Sequence, residues 1–168
     1  MNASKPSVML ARQEDALTET TYDYRPFDRR RYTLRRRATL ASTKQSITDA
    51  VNVILGIARQ CRCATDSEAD LEIALREALA NAVIHGNNTN PEKSIFVRCY
   101  GDPTGGLLVL VRDAGPGFEP KEVPDPRGTD RLELSHGRGL FLMRALMDRM
   151  EYRRDGREVL LFKRWHPA

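Results

Sequence analysis

Apolar residues recur at helical spacing in three stretches of the chain. From Ser42 or Thr43 to residues 59–62 they repeat every three or four positions, which predicts an amphipathic helix. A second stretch, residues 66–86, begins with acidic residues that suit a helix N-terminus and ends at a glycine. A third stretch predicts a helix over residues 139–149.

Runs rich in β-branched and aromatic residues surround these helices and predict the strands of one sheet. The predicted strands are residues 32–40, 94–100, 107–113, 151–154 and 158–165. A glycine-rich turn joins the second to the third, and Asp155-Gly156 joins the last two, so both pairs are predicted hairpins. The run 107–113 is apolar on both faces, which is typical of a central strand.

This order of elements predicts an α/β (α+β) two-layer sandwich, with a mixed, mainly antiparallel sheet and its helices on one face. Residues 1–30 lack a sustained pattern and are interpreted as a mobile N-terminal arm, so the domain spans residues 31–168. Residues 119–136 carry three prolines and several charges. They predict a long loop of the kind that often serves as a functional lid.

The composition is that of a soluble globular protein, because 40% of the 168 residues are hydrophobic and 30% are charged. No apolar run approaches the roughly 18–20 residues of a membrane-spanning helix. The N-terminal segment has no apolar run like that of a secretory signal. A cytoplasmic location without a membrane partner is therefore expected.

Positive charge is concentrated at the N-terminal end. Residues 1–40 contain nine Lys and Arg against five Asp and Glu, whereas residues 41–168 contain eighteen of each. Six of the arginines lie in residues 28–37, a segment that could meet an acidic partner or nucleic acid. The favoured interpretation is a solvated edge strand with Tyr32 and Leu34 pointing inward, because aromatic residues are not interleaved over a wider basic surface. No direct contact with nucleic acid is therefore expected.

The three cysteines, Cys61, Cys63 and Cys99, are an odd number and argue against a disulfide framework. The Cys-x-Cys pair could ligate a metal, but no second pair of Cys or His lies near it in the sequence. Reduced, mostly buried thiols are the favoured interpretation.

The second predicted helix carries Glu77 and Asn81 four residues apart, so that their side chains share one face. An amide oxygen suits Mg²⁺, which prefers oxygen ligands and takes few from the protein when phosphates supply the rest. A carboxylate one turn away could accept a proton from an attacking hydroxyl group or water. Taken alone, the pair is better explained as two polar residues facing solvent, and only its companion motifs give it weight.

Asp113 ends the predicted central strand and is followed by Gly115 and Gly117. A carboxylate held there can only accept hydrogen bonds, so it would select the N6 amine of adenine over the carbonyl oxygen of guanine. The same residues could also form a type II turn or part of a calcium loop, although the dense Asp and Asn oxygens of an EF-hand are missing.

A further glycine pair, Gly137 and Gly139, is expected just before the third helix, where backbone N–H groups can approach phosphate oxygens. Arg138 between them could add positive charge. Glycines also occur before helices for steric reasons alone. The three motifs in this order are much more specific together than singly, and together they indicate an ATP site.

These motifs resemble the N, G1 and G2 boxes of the GHKL ATPase superfamily, which here are residues 77–86, 113–118 and 137–140. The resemblance covers residues 31–165 and implies a Bergerat-type ATP-binding fold. Within the superfamily, Asn-Ala-Val-Ile-His-Gly at residues 81–86 and the stretch 137–148 look most like the RsbW-like anti-sigma-factor serine/threonine kinases.

The resemblance also implies a role for each residue at a matching position. Glu77 is implied to be the catalytic base, Asn81 the Mg²⁺ ligand and Asp113 the carboxylate that reads adenine. His85 and Gly86 are implied to border the phosphates. The other implied nucleotide contacts come from the two glycine motifs: Gly115, Gly117, Gly137, Arg138, Gly139 and Leu140.

The function that the resemblance implies is an ATP- and Mg²⁺-dependent kinase that phosphorylates a serine or threonine on a STAS-type antagonist. Such kinases also bind a sigma factor and are often homodimers. A sensor histidine kinase would need a dimerisation helix pair, for which residues 1–40 provide no room, and gyrase-like, mismatch-repair and chaperone ATPases need further domains. A regulator that binds nucleotide and partner without phosphoryl transfer is the remaining alternative, against which Glu77 argues only modestly.

Overall fold

The structure, a computed structural model, describes residues 9–10, 32–61, 68–119 and 135–164, and its strands form a single sheet. The strands are β1 (Met9–Leu10), β2 (Leu34–Ala41), β3 (Ser94–Asp102), β4 (Gly106–Arg112), β5 (Arg149–Arg153) and β6 (Glu158–Lys163). Their spatial order is β1-β2-β3-β4-β6-β5. Every neighbouring pair among these strands is antiparallel, so the sheet is more uniform than the mixed, mainly antiparallel sheet that was predicted.

The described helices are α1 (Lys44–Gln60), α2 (Glu68–Ala80) and α3 (Ser135–Leu146). Thr43 precedes α1 with an extended backbone, and its side chain accepts a hydrogen bond from the Ser46 N–H at 3.2 Å, which caps the helix. Beyond Ala80 the second helix continues as one π-helical segment, Asn81–Gly86. The sequence predicted one continuous helix here, and the structure widens its last turns.

The predicted two-layer sandwich is confirmed, because the helices and one face of the sheet share one apolar core. Buried residues of all three helices, among them Ile54, Leu75 and Met143, pack with alternate residues of β3, β4 and β6. Strand β4 lies between β3 and β6, as its two apolar faces predicted.

A second buried cluster lies on the opposite face of the sheet. Its members are Tyr32, Tyr100, Leu108, Leu110, Leu160 and Phe162. The prediction that Tyr32 and Leu34 point the same way is therefore wrong: Leu34 packs on the helix-side core, whereas the Tyr32 ring lies 6.0 Å from the Tyr100 ring. The reason is that Tyr32 precedes β2, so the alternation of the strand does not extend to it.

Part of the predicted arm joins the sheet. Met9 pairs with Thr39 and Leu10 with Ala38, so β2 has a neighbour on its outer side at these two positions. The rest of residues 1–30 lies outside the described residues, and so do residues 120–134 of the predicted lid. The arm and the lid therefore remain predictions.

Lys163, near the end of β6, ties the two helices that carry the site motifs to the sheet. Its ammonium group donates a hydrogen bond to the Leu146 carbonyl at 2.6 Å and lies 3.6 Å from a carboxylate oxygen of Asp70. Leu146 is the last residue of α3, where a positive charge is favoured by the helix dipole, and Asp70 lies in the first turn of α2. One side chain thus fixes an end of each helix.

The hairpin between β3 and β4 depends on the buried carboxylate of Asp102. Its Oδ1 accepts hydrogen bonds from the Thr104 N–H at 2.9 Å, the Thr104 hydroxyl at 2.7 Å and the Gly105 N–H at 2.9 Å. The bond from the Thr104 hydroxyl is the main cause that holds the pKa of Asp102 below its usual value. The charged form is therefore the one that the folded hairpin stabilises.

We expect Asp102→Ala to lower the free energy of unfolding at pH 7 by about 1–3 kcal/mol, because hydrogen bonds to a charged group are lost. A depressed pKa contributes stability that is present above the unfolded pKa of about 4 and is lost as the pH falls through the folded value. The difference between wild type and variant should therefore shrink in urea unfolding at pH 3. Asp49→Ala on α1, whose carboxylate accepts a hydrogen bond from the exposed Gln45, is the control; equal losses for both variants would contradict the role of Asp102.

Candidate nucleotide site

The change to π-helical geometry begins at Asn81, one of the predicted site residues. The Asn87 N–H bonds the Ala82 carbonyl at 2.9 Å and the Thr89 N–H bonds the Val83 carbonyl at 2.7 Å, which are wider turns than those of an α-helix. Such π-helical segments occur frequently at functional sites. Glu77 lies in the regular part of α2 and, like Asn81, is half-buried.

Helix α3 lies directly against Glu77 and Asn81 through Gly139. A Cβ atom added at Gly139 would overlap Oε2 of Glu77 and would lie 3.8 Å from Nδ2 of Asn81. The atom that the added Cβ would meet is the movable end of the Glu77 side chain, so glycine here leaves the Glu77 carboxylate free to occupy its present position. The structure therefore brings the residues of the predicted N box and one glycine of the predicted G2 box into contact.

The structure corrects the position of the G2 glycines in the chain. Helix α3 begins at Ser135, so Gly137, Arg138 and Gly139 lie inside the helix rather than before it. The low helix propensity of glycine favoured a later start, and packing of α3 against α2 outweighs it. Only the N–H groups of the first turn lack an acceptor within a helix, so Gly137 keeps a backbone donor for an anion, whereas Gly139 in the second turn does not.

The other two residues of this motif have contrasting surroundings. The Arg138 side chain is exposed, in keeping with a charge that could reach a ligand. The Leu140 side chain is only 5% exposed and belongs to the core shared by helices and sheet. As a side chain, Leu140 therefore anchors α3 to the core and does not line the site, because an apolar group at this position gains more from burial.

Three predicted residues meet at the opposite end of the π-helical segment. A Cβ atom added at Gly86 would overlap the carboxyl group of Asp113, and one added at Gly115 would overlap the carbonyl oxygen of Gly86. The Gly115 N–H donates to Oδ1 of Asp113 at 2.7 Å. The end of the second helix and the turn after β4 are therefore in direct backbone contact.

Burial raises the pKa of Asp113, while hydrogen bonds from backbone N–H groups and the charges of Arg157 and Lys93 act in the opposite direction. The backbone N–H of Asp113 donates to the Arg157 carbonyl at 3.0 Å, which holds this residue at the end of the sheet. In the described part of the chain, backbone N–H groups donate hydrogen bonds to its carboxylate and no side chain does. A ligand amine would supply the missing donor to this partly desolvated group.

The G1 turn is also attached to the hairpin that joins β5 to β6. Gly117 has a φ of 82°, and a Cβ atom added there would overlap the carbonyl oxygen of Asp155. The Phe118 N–H donates to the same carbonyl at 2.9 Å. The positive φ and the close approach both require glycine, so Gly117 has a structural reason to be present whatever it contacts in a ligand.

Asn87, at the end of the π-helical segment, is a connecting residue that the sequence did not single out. Its side chain is completely buried; Nδ2 donates to the Ser94 carbonyl at 3.1 Å, and Oδ1 accepts from the Ala114 N–H at 2.9 Å. This amide joins the end of the π-helical segment to the start of β3 and to the Asp113 turn. In the sequence, Asn87 is one of three asparagines in a predicted loop, and nothing in its neighbours marks it out.

Tyr152 on β5 is a second residue that the sequence did not indicate. Nδ2 of Asn81 donates a hydrogen bond to its hydroxyl oxygen at 3.5 Å, and its ring meets the Phe118 ring edge-on with centroids 4.9 Å apart. Burial is the main cause that raises the pKa of Tyr152 to about 12, and the negative charge of Asp113 adds to the effect. The hydroxyl group is therefore protonated at neutral pH.

His85 and its neighbour Ile84 are exposed on the π-helical segment. The predicted position of His85 beside phosphates therefore remains a prediction. The other predicted residues form two contact groups. Glu77, Asn81 and Gly139 make up the first, and Gly86, Asp113 and Gly115 the second.

The donor set fits ATP with Mg²⁺. The described residues contain no group of three or more His, Cys, Asp or Glu placed to hold a metal ion, so a site supplied wholly by these side chains is not present there. A half-buried amide oxygen at Asn81 suits Mg²⁺, which completes its coordination with phosphates and water. Cys61 and Cys99 are buried and not in disulfides, and Cys63 lies outside the described residues.

Comparison with known proteins identifies the fold that surrounds this site. Residues 40–163 match the family described as the histidine kinase-like ATPase domain. Because the match covers most of the chain and includes both contact groups, this chain belongs to that family. Family membership supports ATP binding at the site.

Among curated proteins, this chain is 33% identical over 82 residues to an anti-sigma F factor of Heyndrickxia coagulans, which covers 48% of this chain and 56% of that protein. It is 30% identical over 99 residues to the serine-protein kinase RsbW of Oceanobacillus iheyensis, with 55% and 62% covered. It is 33% identical over 103 residues to the RsbW of Bacillus velezensis, with 57% and 63% covered. The resemblance to RsbW-like proteins is confirmed, and the chain spans less than two thirds of these relatives.

Among the described residues, none of the helices has an apolar stretch that could cross a membrane.

We expect Asn87→Ala to lower the free energy of unfolding by about 2–4 kcal/mol, because it leaves the Ala114 N–H and the Ser94 carbonyl without their partner and opens a cavity. Asn52→Ala, at an exposed position on α1, is the matched control and should change stability by less than about 0.5 kcal/mol. Urea unfolding of both variants checks this, and equal stability of the two would contradict the connecting role of Asn87.

Proposed function

We propose that this protein is an ATP- and Mg²⁺-dependent serine/threonine kinase of the anti-sigma-factor type. In this proposal it phosphorylates a STAS-type antagonist, binds a sigma factor in the same partner-switching system and acts as a homodimer. The names of the relatives, anti-sigma F factor and serine-protein kinase RsbW, support the class of activity. The partners and the dimer rest on the resemblance to RsbW-like kinases alone.

One observation carries the proposed chemistry: Gly139 places the N-terminal part of α3 against the carboxylate of Glu77 and the amide of Asn81. Backbone donors at a helix N-terminus favour anions such as phosphate. A carboxylate and an amide beside such a terminus have the two functions that phosphoryl transfer needs from side chains, a proton acceptor and a metal ligand. Two polar residues that only faced solvent would not lie in contact with another helix.

In the proposed mechanism the chain positions two substrates and moves one proton. Asp113 accepts a hydrogen bond from the N6 amine of adenine, and Gly137 and Arg138 in the first turn of α3 bind phosphate oxygens. Asn81 is the protein ligand of Mg²⁺, which neutralises phosphate charge when it is bound. The hydroxyl oxygen of the partner's serine or threonine bonds to the γ-phosphorus as the bond to the ADP oxygen breaks, and Glu77 accepts the hydroxyl proton.

Glu77→Gln tests the proton acceptor. We expect ATP affinity to be retained and phosphoryl transfer to fall by about 10²–10⁴-fold, because an amide cannot accept the proton. The measurement is transfer of labelled γ-phosphate from ATP to STAS-domain proteins of the same cell. Glu72→Gln, a change of a partly exposed residue on the same helix that pairs with Arg76, is the control and should leave transfer unchanged.

Undiminished transfer by Glu77→Gln would show that another group accepts the proton. If the wild-type protein binds ATP but transfers no phosphate to any STAS-domain protein tested, the binding-only regulator is the better description.

Gly139→Ala tests the contact between α3 and Glu77. Alanine favours a helix over glycine by about 1 kcal/mol, and the atom that the new methyl group meets is the flexible end of Glu77, so stability should not fall. Displacement of the carboxylate should nevertheless reduce phosphoryl transfer by about 10²-fold, because catalysis depends on its position.

Gly56→Ala on α1 is the matched control, because a Cβ atom added there meets nothing within 4 Å. It should gain the same helix stability and keep full transfer. Thermal unfolding and the transfer assay separate the two effects, and full activity in Gly139→Ala would contradict the role given to this contact.

A further inference from the structure

Tyr152 contacts one residue of the N box, Asn81, and one residue of the G1 box, Phe118. It occupies β5, the outermost strand beyond β6, and pairs with Val159. Its side chain points to the helix side of the sheet and packs against the core there. From that position it contacts Asn81 through its hydroxyl group and Phe118 through its ring.

The hydroxyl group is the one hydrogen-bond partner of the Asn81 side chain among the described residues. Gly139 lies near the same amide nitrogen, since a Cβ atom added there would be 3.8 Å from Nδ2 of Asn81, and it has no side chain to bond it. An asparagine amide has a donor end and an acceptor end of nearly equal size, so without a partner it can present either one to a ligand. A cation can be bound only by the oxygen.

We propose that Tyr152 is a positioning residue that turns the Asn81 amide oxygen toward Mg²⁺, by accepting the hydrogen bond from Asn81 Nδ2 on the opposite side. This inference rests on the proposed function of Asn81 as the Mg²⁺ ligand. Groups that orient a metal ligand in this way commonly change metal affinity when they are removed.

The edge-on contact with Phe118 gives the tyrosine ring a second constraint. Phe118 follows Gly117, and its backbone N–H is bonded to the Asp155 carbonyl of the hairpin that carries Tyr152. The ring is therefore held between the core and the G1 turn, and only its hydroxyl group reaches Asn81. The variant Tyr152→Phe would keep the ring contacts and remove only the hydrogen bond to Asn81.

The test compares ATP affinity with and without Mg²⁺ in isothermal titration calorimetry, using a non-hydrolysable ATP analogue. The separation of 3.5 Å is at the long end for a hydrogen bond, so a modest effect is expected. In Tyr152→Phe the affinity gained on adding Mg²⁺ should fall by about two- to fivefold, while affinity without Mg²⁺ stays unchanged. Tyr100→Phe, which removes a hydroxyl group from the cluster on the opposite sheet face, should match wild type.

A double-mutant cycle separates positioning from a general effect on the site. Asn81→Ala should abolish most of the increase in ATP affinity that Mg²⁺ causes. Adding Tyr152→Phe to it should not reduce this increase further, because the amide that Tyr152 positions is gone. An equal loss in both backgrounds would overturn the inference. The inference would also be overturned if Mg²⁺ raised the ATP affinity of Tyr152→Phe as much as that of the wild type. That result would leave the proposed function intact.

If Mg²⁺ did not raise the ATP affinity of the wild-type protein, the proposed function and the role of Tyr152 would both be overturned. If Tyr152→Phe folds too poorly to be titrated, the wild-type protein supplies a second measurement by NMR. The side-chain amide protons of Asn81 should exchange with water more slowly than those of the exposed Asn52. Equal exchange rates would overturn the inference.

Discussion

Close backbone contact at glycine is the constraint on which the site depends. At Gly86, Gly115 and Gly139 a single methyl group would collide with another element, in each case one that carries a site residue. Gly115 meets the backbone of Gly86, whereas Gly86 and Gly139 leave room for the carboxyl groups of Asp113 and Glu77. Polar groups that are far apart in the sequence are thereby brought into two contact groups, and the cost of ordering them is met when the chain folds.

The rest of the fold holds these contacts in place. Lys163 fixes the end of α3 and the beginning of α2 to β6, and the buried amide of Asn87 joins the end of the second helix to the Asp113 turn. Asp113 itself is bonded through its backbone to the β5–β6 hairpin. The site is therefore built mainly on helices, strand ends and a short turn, which can hold a catalytic group more accurately than long loops do.

The sequence allowed the fold to be predicted well, because hydrophobic periodicity and turn residues are local signals. The start of α1 near Ser42 or Thr43, the Asp155-Gly156 hairpin and the central position of β4 all follow from a few neighbouring residues. The start of α3 was placed too late, because the gain from packing α3 on α2 is invisible in local propensity. Tyr32 is buried, but the shared face assigned to Tyr32 and Leu34 was wrong, because Tyr32 precedes β2 and packs on the opposite side of the sheet.

For the candidate site, the sequence singled out the residues in recognisable motifs and did not single out the residues that support them. Glu77, Asn81 and Asp113 stand in patterns whose chemistry can be argued from residue type and spacing. Asn87 and Tyr152 act through partners that are distant in sequence, the second of them 71 residues away from Asn81. Such partners become visible only when the chain is folded, because a lone Asn in a loop or a Tyr in a strand has many ordinary explanations.

The most direct test of a single nucleotide site is NMR of the ¹⁵N-labelled protein during titration with a non-hydrolysable ATP analogue and Mg²⁺. The backbone amides of Asn81, Gly86, Gly115 and Gly139 should shift together with one dissociation constant, while that of Gly56 on α1 should not move. Separate dissociation constants for the two contact groups, or shifts confined to other parts of the chain, would contradict the assembly of these residues into one ATP site.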